Sequence, residues 1–474
     1  MRFKPAILLF CFANLFAEVH ATNWLVGPTH PYPVPSAVAS LVADGDTVSI
    51  DAGLYMGDVA KWYANSLLLR RVGNGYAHLD AGGNNAEGKA IWVIKGADCI
   101  VEGIEFSGCQ VPDNNGAGIR QEGKNLTLRH CYFHHNEMGI LTSNDGVSDY
   151  TFWNCEFAEN GYGDGYSHNV YVGHVNSLTM FYCYSHDSKV GHLVKSRASH
   201  NYLYYNRLTG ENGDGSYEID LPNGGEAILI GNIIEQSPNS QNGGMVSFGL
   251  EGATNPKQDL VLLNNTLVND RFDGRFVQFS DGTDLVQLAN NLFLGPGQLL
   301  QGSTANLDTT HNIHHLNIAD GMLTAPGMFD YRPLANAPCV DAGVDVIFYG
   351  GENLMPQFQY VHPLAYQPRQ AKGVSTDIGA YEFEPEVSAV AQKTAGEGFK
   401  ISPNPALGDR LSLEFGLALP KPTLLRLVDF GGRTALEAQI PQGENRFELE
   451  LNRCPSGSYL IDIEGFVKQI FIKI

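Results

Sequence analysis

The chain has 474 residues, of which 43% are hydrophobic and 17% are charged, and its formal net charge is −21. This composition is that of a folded protein with a sizeable core, and it excludes an intrinsically disordered chain. The negative charge argues against a nucleic-acid partner, because nucleic acid is itself a polyanion, but a local basic patch would still bind an anionic polysaccharide.

The first 21 residues predict a secretory signal peptide. Arg2 and Lys4 form a basic start, an apolar stretch follows over residues 6–12, and Val19-His20-Ala21 is typical of a cleavage site. No other stretch reaches about 18 apolar residues, so we expect no membrane-spanning helix in the mature chain. The protein is therefore expected to be secreted or attached to the cell surface.

A short helix and a strand are predicted directly after the signal peptide. Residues 35–42 have Pro35 at the helix start and Asp44-Gly45-Asp46 beyond its end. Residues 47–50 alternate as a strand does. We expect the helix to cap the N-terminal end of the repeats that follow, because an open end would expose core and strand edges.

A short unit of apolar residues around one small residue recurs along the middle of the chain. Its central positions, at steps of 21 to 33 residues, are Gly103, Cys131, Cys155, Cys183, Asn206, Asn232, Asn265, Asn291 and Asn312. A period in the twenties, in units rich in Val, Ile, Leu, Phe and Tyr, indicates a solenoid of β-strands. The fold class predicted is all-β, a right-handed parallel β-helix, in which the central positions stack as an inward ladder.

The cysteines are expected to be buried ladder residues. Seven remain after removal of the signal peptide with Cys11, so at least one is unpaired. Cys131, Cys155 and Cys183 share one repeat position, which favours buried thiols over disulfide bonds. The absence of any C-x-x-C pair argues against a zinc or thioredoxin-like site.

Three later segments mark the end of the repeats. Residues 331–334, 337–343 and 377–382 read Y-R-P-L, A-P-C-V-D-A-G and D-I-G-A-Y-E. They resemble the closing segment of secreted parallel β-helix proteins. We therefore assign residues 22–384 to the β-helix with its capping helix, and the acidic, small-residue stretch 385–398 to a linker.

Residues 399–474 predict a separate small β-sandwich, with short strands divided by Gly and Pro. Ser402-Pro403-Asn404-Pro405, residues 427–433 (L-V-D-F-G-G-R) and residues 455–461 (P-S-G-S-Y-L-I) resemble the sorting domain of the bacterial type IX secretion system. The resemblance implies recognition by that machinery at the outer membrane, followed by release or surface attachment. The alternative is an ordinary carbohydrate-binding or adhesive sandwich.

The densest run of ionisable residues spans residues 164–223 and predicts the functional site. It holds five of the 15 histidines: His168, His174, His186, His192 and His200. In a solenoid, residues one period apart lie side by side, and alternation turns every second residue outward. This predicts that Tyr171, Lys195, Glu218 and Asp220 share one outer face. The candidate catalytic residues are Lys195, Arg197, His174 and Asp220, and the candidate substrate-binding residues are Tyr171, His192, Glu218 and Asn223.

A group of Lys, Arg and His suits β-elimination on a uronate-containing polysaccharide. The substrate carboxylate must be neutralised, a base must remove the neighbouring proton, and an acid must help the glycosidic oxygen leave. Lys195 beside Arg197 is expected to have a lowered pKa and to act as the base. Arg197 or a histidine would neutralise the carboxylate.

The segment Val194-Lys195-Ser196, followed by Asn201 and Asn206, resembles the catalytic rung of alginate and chondroitin lyases that have a parallel β-helix. The resemblance implies that Lys195 is the base. It also implies calcium ligands just before the lysine, where this sequence has Ser188 and Val190. No cofactor is assigned, and calcium stays an open alternative.

Polysaccharide lyase activity on an extracellular acidic polysaccharide, by a monomer, is the function we expect. A glycoside hydrolase is one alternative and would use two carboxylates from among Asp187, Glu218 and Asp220. A non-catalytic adhesin or glycan-binding protein is the other. A metal site built from His168, His174, His186 and His192 lacks a spacing typical of zinc.

Overall fold

The computed structural model describes residues 21–384, 399–402, 409–415, 418–419, 421–429, 434–452, 454, 457–463 and 469–473. Residues 1–20 of the predicted signal peptide and the whole predicted linker, 385–398, lie outside the described residues. The expectations for these two segments therefore remain predictions.

Thirty-one short strands form a long coil. The first sixteen are β1 (Asn23–Val26), β2 (Thr47–Met56), β3 (Ala60–Trp62), β4 (Leu68–Asp80), β5 (Ala90–Ile94), β6 (Cys99–Glu102), β7 (Ile104–Ser107), β8 (Ala117–Gln121), β9 (Leu126–Arg129), β10 (Tyr132–His134), β11 (Met138–Leu141), β12 (Asp149–Trp153), β13 (Glu156–Ala158), β14 (Val170–Val172), β15 (Ser177–Phe181) and β16 (Tyr184–His186). The other fifteen are β17 (Val194–Ser196), β18 (His200–Tyr204), β19 (Arg207–Thr209), β20 (Ile219–Leu221), β21 (Gly225–Ile230), β22 (Ile233–Gln236), β23 (Gly244–Phe248), β24 (Gln258–Leu263), β25 (Thr266–Asn269), β26 (Arg275–Phe279), β27 (Leu285–Ala289), β28 (Leu292–Leu294), β29 (Gln298–Gln301), β30 (Leu307–Thr310) and β31 (Ile313–His315).

From β6 onward, successive strands belong in turn to three rows. The first row begins with β6, β9 and β12, the second with β7, β10 and β13, and the third continues through β8, β11 and β14. Every pairing within a row is parallel. The first and second rows join through the long strands β2 and β4 into one 21-stranded sheet. The third row is a separate 10-stranded sheet. Each coil thus presents three outer faces, and the side chains of one face lie in rows that run from coil to coil.

The ladder predicted from the sequence lies inside the coil. The Asn206 backbone N–H donates to the Asn232 Oδ1 atom at 2.9 Å, and the Asn232 backbone N–H donates to the Asn265 Oδ1 atom at 2.9 Å. Asn291 and Asn312 continue the same pattern. At the other end of the ladder, the Cys183 backbone N–H donates to Asn206 Oδ1. Stacked amides therefore satisfy the backbone at the bends from Cys183 to Asn291.

One residue in the left-handed conformation precedes each ladder residue. These residues, with φ between 47° and 71°, are Gly103, His130, Asn154, Tyr182, Tyr205, Gly231, Asn264, Asn290 and His311. Gly103 is one of these left-handed residues, so its prediction as a ladder residue is wrong by one position. Glu105 pairs with Tyr132, which places Ile104 opposite Cys131.

All seven described cysteines are buried, and no disulfide joins any of them in the part of the chain that the structure describes. The Cys155 thiol donates weakly to the Trp153 carbonyl oxygen at 3.4 Å. Burial raises the pKa of the Cys155 thiol well above its usual value. The ladder cysteines are therefore packing residues without thiolate reactivity.

The N-terminal end of the coil is covered by a turn of 3-10 helix, Pro35–Ala37, and not by a helix reaching residue 42. Val38 points into the core and is fully buried. Farther along the same segment, the Asp46 carboxylate accepts a hydrogen bond from the Ala43 backbone N–H at 2.9 Å. Two further 3-10 helices cover Ile318–Gly321 and Pro326–Met328. Among the described residues, no helix has the length and apolarity needed to cross a membrane.

The coil ends at β31, so residues 316–384, the last part of the range assigned to the β-helix, do not belong to the coil. The following segment forms three antiparallel pairs: β32 (Leu323–Ala325) with β33 (Asp330–Pro333), β34 (Phe348–Tyr349) with β35 (Glu352–Asn353), and β36 (Phe358–Val361) with β37 (Ala365–Pro368). It packs on aromatic side chains outside the coil, with the Tyr366 ring 4.1 Å from that of Tyr182. Covering those apolar rings is the physical reason that the chain folds back.

The C-terminal region contains small antiparallel sheets. Their strands are β38 (Phe399–Ser402), β39 (Arg410–Phe415), β40 (Thr423–Asp429), β41 (Thr434–Ile440), β42 (Arg446–Glu450), β43 (Gly457–Ile463) and β44 (Gln469–Lys473). Three strands form one sheet and four form the other, around a shared apolar core. This is the layered arrangement expected of a small β-sandwich.

Candidate functional site

One outer face of the third row carries the candidate site. The strand register places Tyr171 beside Lys195, Lys195 beside Asp220, and Asp220 beside Ser247. Val194 and Ile219, the neighbours of Lys195 and Asp220 along the chain, point into the core and are fully buried. Alternation within short parallel strands therefore holds a row of polar side chains on a rigid apolar support.

Lys195 lies between two carboxylates. Its Nζ atom is 2.9 Å from Asp220 Oδ2 and 3.0 Å from Glu251 Oε1. The side chains of Lys195 and Asp220 are only 10% and 4% exposed. Lys195 is thus a buried member of an ion-pair network. Its position on the outer face of the strand does not make it a solvated surface lysine.

The carboxylates decide the charge of Lys195. Burial lowers the pKa of its amine, but the charges and hydrogen bonds of Asp220 and Glu251 outweigh burial and hold the pKa above its usual value. The expectation of a lowered pKa is therefore wrong. That expectation rested on Arg197 as the neighbouring charge, whereas the amine of Lys195 contacts the two carboxylates.

Arg197 uses all three guanidinium nitrogens. Its Nε donates to the Tyr171 hydroxyl at 3.0 Å, one terminal nitrogen donates to Asn223 Oδ1 at 2.7 Å, and the other donates to Glu251 Oε2 at 2.6 Å. These contacts fix the plane of the guanidinium group. Because the Tyr171 oxygen accepts from Arg197, its own proton is free to be donated elsewhere.

Glu251 completes the site, although no motif or spacing in the sequence points to it. It lies in the corner between β23 and β24, where its backbone N–H donates to the Pro222 carbonyl oxygen. One carboxylate oxygen contacts Lys195 and the other contacts Arg197. Its side chain is 48% exposed, so this carboxylate is the solvent-facing member of the network. The two cations lower the pKa of Glu251 against the effect of burial, which raises it.

Two stacked histidines border the network. The His168 and His192 rings are 4.5 Å apart, and His192 Nδ1 accepts a hydrogen bond from the Tyr217 backbone N–H at 3.2 Å. The proton of neutral His192 is therefore on Nε2, which lies 3.5 Å from Asp220 Oδ2. Burial lowers the pKa of His192 to about 4, although Asp220 acts in the opposite direction. His192 is consequently a neutral partner of Asp220 near neutral pH.

Comparison with known proteins gives the class of fold. Residues 82–163 match the family model described as the right handed beta helix region. The crystal structure of the pectate lyase Pel9A superposes with a TM-score of 0.53 at 14% identity, over 77% of this chain and 98% of that one. ORF18 of Geobacillus virus E2 gives a TM-score of 0.33 at 14% identity, over 77% of each chain. No curated protein sequence matches the chain.

The chain is a right-handed parallel β-helix protein. Six of the eight residues selected from its sequence lie in the network on the third row: Lys195, Arg197, Asp220, Tyr171, His192 and Asn223. These six residues span 52 positions of the sequence, from 171 to 223, and the β-helix brings them together.

Two of the selected residues lie outside the network. His174 is exposed in the turn after β14, and in the described structure its side chain makes no hydrogen bond or ion pair with Lys195 or Asp220. Glu218 is buried at the register position of Leu193 and Met245, two core residues. Burial and the charge of Glu235 raise its pKa well above the usual value. The predicted outward orientation of Glu218 is wrong because it precedes β20, where the bend interrupts alternation.

The carboxylates proposed for a hydrolase occupy different environments. Glu218 is inside the coil. Asp187 follows β16 of the second row, and its Oδ2 atom lies 2.7 Å from His186 Nδ1. Asp220 remains with Lys195. The β-helix therefore does not assemble the set Asp187, Glu218 and Asp220 around one sugar bond.

The network is a poor fit for calcium. Asp220 and Glu251 already contact Lys195, and Glu251 also contacts Arg197, so their charge is balanced by cations. Calcium prefers several carboxylate and carbonyl oxygens without competing cations. Ser188, in the region where the lyase resemblance implies an acidic ligand, is buried and directs its hydroxyl toward the Asn160 carbonyl oxygen. We therefore assign no step of the chemistry to calcium.

A cavity of about 820 Å³ lies elsewhere, between the second row and the segment that follows the coil. Tyr184, Arg207 and His362 are among the residues that line it, and Lys195, Arg197 and Asp220 are not. Arg207 is already bound to Glu211 and to the Phe329 carbonyl oxygen. The row containing Lys195 has the richer combination of acid, base and cation, so we place the candidate active site there.

Proposed function

We propose that this β-helix protein processes an acidic, uronate-containing polysaccharide by β-elimination at the network of Lys195, Arg197 and Asp220. The observation that carries the proposal is the position of Glu251, a partly exposed carboxylate held by two cations at once. A site that binds one carboxylate between a lysine and an arginine has the chemistry needed to bind another.

In the proposed complex, the carboxylate of a uronate residue replaces that of Glu251. Arg197 is suited to this contact because Tyr171 and Asn223 already fix its orientation. Neutralising the carboxylate stabilises the negative charge that develops when the adjacent carbon loses its proton. Arg197 therefore acts as the electrophilic residue of the reaction.

The elimination moves one electron pair along the sugar ring. Lys195, as the free amine, takes the proton from C5, the electrons form a C4–C5 double bond, and the C4–oxygen bond breaks. The Tyr171 hydroxyl, whose proton is not used toward Arg197, donates a proton to the departing oxygen. The products are a new chain end and an unsaturated uronate, with no water consumed.

Asp220 and His192 support the base. The Asp220 carboxylate orients the Lys195 amine from the next strand, and His192 contacts the same carboxylate oxygen. Because Asp220 and Glu251 keep Lys195 protonated in the free protein, only the minor deprotonated form would act as the base. The proposal therefore includes an alkaline activity optimum.

The decisive experiment incubates the purified protein with polygalacturonate, alginate, chondroitin and a neutral glucan. Ultraviolet absorbance of the unsaturated product, together with new reducing ends, on a uronate polymer alone is the expected result. Reducing ends without that absorbance would replace the lyase proposal by a hydrolase. Binding without cleavage would replace it by an adhesin or glycan-binding protein.

We also propose that the protein is exported by a signal peptide and the type IX secretion machinery. The support is the sequence of residues 1–21 and the resemblance of residues 399–474 to sorting domains. Truncation before Pro385 in a bacterium that has this machinery should leave the coil folded but retained in the periplasm. Normal release of the truncated chain would contradict this proposal.

A further inference from the structure

A second cluster of ionisable side chains lies on the outer face of the second row, in the first coils of the β-helix. His78 on β4, Glu105 on β7 and His134 on β10 belong to three successive coils. Their neighbours along the chain, Leu79, Phe106 and Phe133, point inward and are buried. The three polar side chains therefore stand on a rigid part of the sheet, outside the window that the sequence had selected.

We propose that His78, Glu105 and His134 bind a divalent transition-metal ion of the Zn²⁺ class. Each side chain offers one ligand atom, and these three atoms lie within 4.8 Å of one another. The ion-pair contacts point to His78 Nδ1, Glu105 Oε1 and His134 Nε2. The first is 3.6 Å and the third is 2.9 Å from Glu105 Oε1. Neighbouring ligands of a tetrahedral zinc ion are roughly 3.3 Å apart, so small rotations of the rings close the site.

The other nitrogen of each imidazole already has a partner. His78 Nε2 is 2.7 Å from Ser107 Oγ, and His134 Nδ1 is 2.8 Å from His135 Nδ1. His135 in turn contacts Glu159 through Nε2 at 3.2 Å. Such outer hydrogen bonds fix the ring orientation and tautomer of metal-binding histidines. When His134 donates from Nδ1, a lone pair on Nε2 faces the Glu105 carboxylate, and a cation between them stabilises that arrangement.

The cluster also leaves room for a further ligand. The His78, Glu105 and His134 side chains are partly exposed, at 25%, 18% and 15%. Two histidines and one carboxylate with a solvent-facing side form a three-ligand set, in which water or an oxygen of a bound molecule takes the fourth position. The proposal does not depend on the lyase proposal, because the two clusters lie on different rows of strands.

The coil contains a matched control two coils later. His186 occupies the register position of His134, and its Nε2 atom is 3.3 Å from Glu156 Oε1, as His134 is close to Glu105. The position equivalent to His78 is Tyr132, which faces Glu156 across the strands. The third nearby ligand atoms come from Asp187 and Glu211, so this cluster has one histidine. His186 is held as a cation: burial lowers its pKa, but Asp187 and Glu156 outweigh burial and raise it to about 9.

The experiment uses the full chain, freed of metal by a chelator, and the variants His78→Ala and His186→Ala. Titration with Zn²⁺ by calorimetry should show one strong site in the parent and in His186→Ala, and at least a tenfold weaker affinity in His78→Ala. Cu²⁺ bound at the same site should show coupling to two imidazole nitrogens in its electron paramagnetic resonance spectrum, and to one in His78→Ala.

Three results would overturn the proposal: no strong Zn²⁺ site in the parent, equal affinity in the parent and His78→Ala, or loss of binding in His186→Ala alone. The last result would move the site to His186, Asp187 and Glu211. Circular dichroism of each variant checks the fold. If His78→Ala does not fold, Glu105→Gln, which keeps side-chain volume and removes the ligand charge, should show the same tenfold loss.

Discussion

The amide ladder inside the coil and the charged network outside it are both built by stacking residues one coil apart, but they obey different rules. In the ladder, each amide donates and accepts within the protein, as Asn232 does with Asn206 and Asn265. In the network, one carboxylate, that of Glu251, faces solvent and holds two cations. Identical side chains repeated inside give stability, whereas unlike side chains brought together outside give a site at which one partner is replaceable.

The largest expected effect tests the outer network. Lys195→Arg keeps the positive charge beside Asp220 and Glu251 but removes a group that can lose its proton. If Lys195 is the base, kcat/KM on the uronate polymer should fall by roughly 10²–10⁴. Lys257→Arg is the matched control, because Lys257 also lies between two carboxylates, Glu226 and Asp259, away from the site. Nearly full activity of Lys195→Arg would show that another residue is the base.

A large effect on stability is expected from the ladder. Asn232→Ala leaves the Asn206 backbone N–H and amide group without their buried acceptor. Each buried unpaired group costs about 1–3 kcal/mol, so we expect a loss of about 3 kcal/mol in the free energy of unfolding. Urea unfolding followed by circular dichroism measures it. Cys155→Ala, which removes only a weak thiol contact at the same ladder position, should lose less, and equal losses would contradict the role of the amide.

The pH dependence of the reaction tests the charge of Lys195. Its pKa is held above the usual value, so the amine is protonated at neutral pH and becomes neutral as the pH rises. The rate constant kcat/KM should therefore increase about tenfold per pH unit between about pH 7 and pH 9. Initial rates in a series of buffers measure this, with circular dichroism at each pH to check folding. A rate that falls across this range would argue for a protonated lysine in the reaction.

A smaller effect is expected at the replaceable carboxylate. Glu251→Gln removes the internal competitor for Lys195 and Arg197, so KM for a uronate polymer should fall about fivefold, corresponding to about 1 kcal/mol. Glu226→Gln, which changes the partner of Lys257, should leave KM unchanged. Initial-rate kinetics of both variants distinguish the outcomes. A higher KM in Glu251→Gln would mean that Glu251 contacts the substrate directly.

The interior of this fold was more predictable than its surface. The period of Asn206, Asn232 and Asn265 is visible in the sequence because successive coils in this part of the chain satisfy the same bend with the same side chain. The same period correctly places Lys195 beside Asp220. The bend also explains the failure at Glu218, because alternation applies within a strand and not to the residue before it.

What the sequence could not supply depends on contacts between distant corners and faces. Glu251 reaches Lys195 from a corner 56 residues later, and no periodicity predicts where a corner side chain will point. The predicted direction of the Lys195 pKa shift is wrong because Glu251 was missed and because the charge of Asp220, although Asp220 was placed beside Lys195, was not counted. His78 and His134 were not selected because their part of the sequence is less rich in charge, although three coils bring them together.

The corner that carries Glu251 belongs to the coil between Asn232 and Asn265, which has 33 residues, whereas the coils on either side have 26. The ladder amides on both sides of this insertion still meet at 2.9 Å. Length can therefore be added at a corner without changing the frame that supports it. For a protein engineer this corner is an exchangeable cassette: shortening residues 249–257, or replacing them with a corner from another coil protein, offers a way to change the outer face beside Lys195 while the strands beneath keep their register.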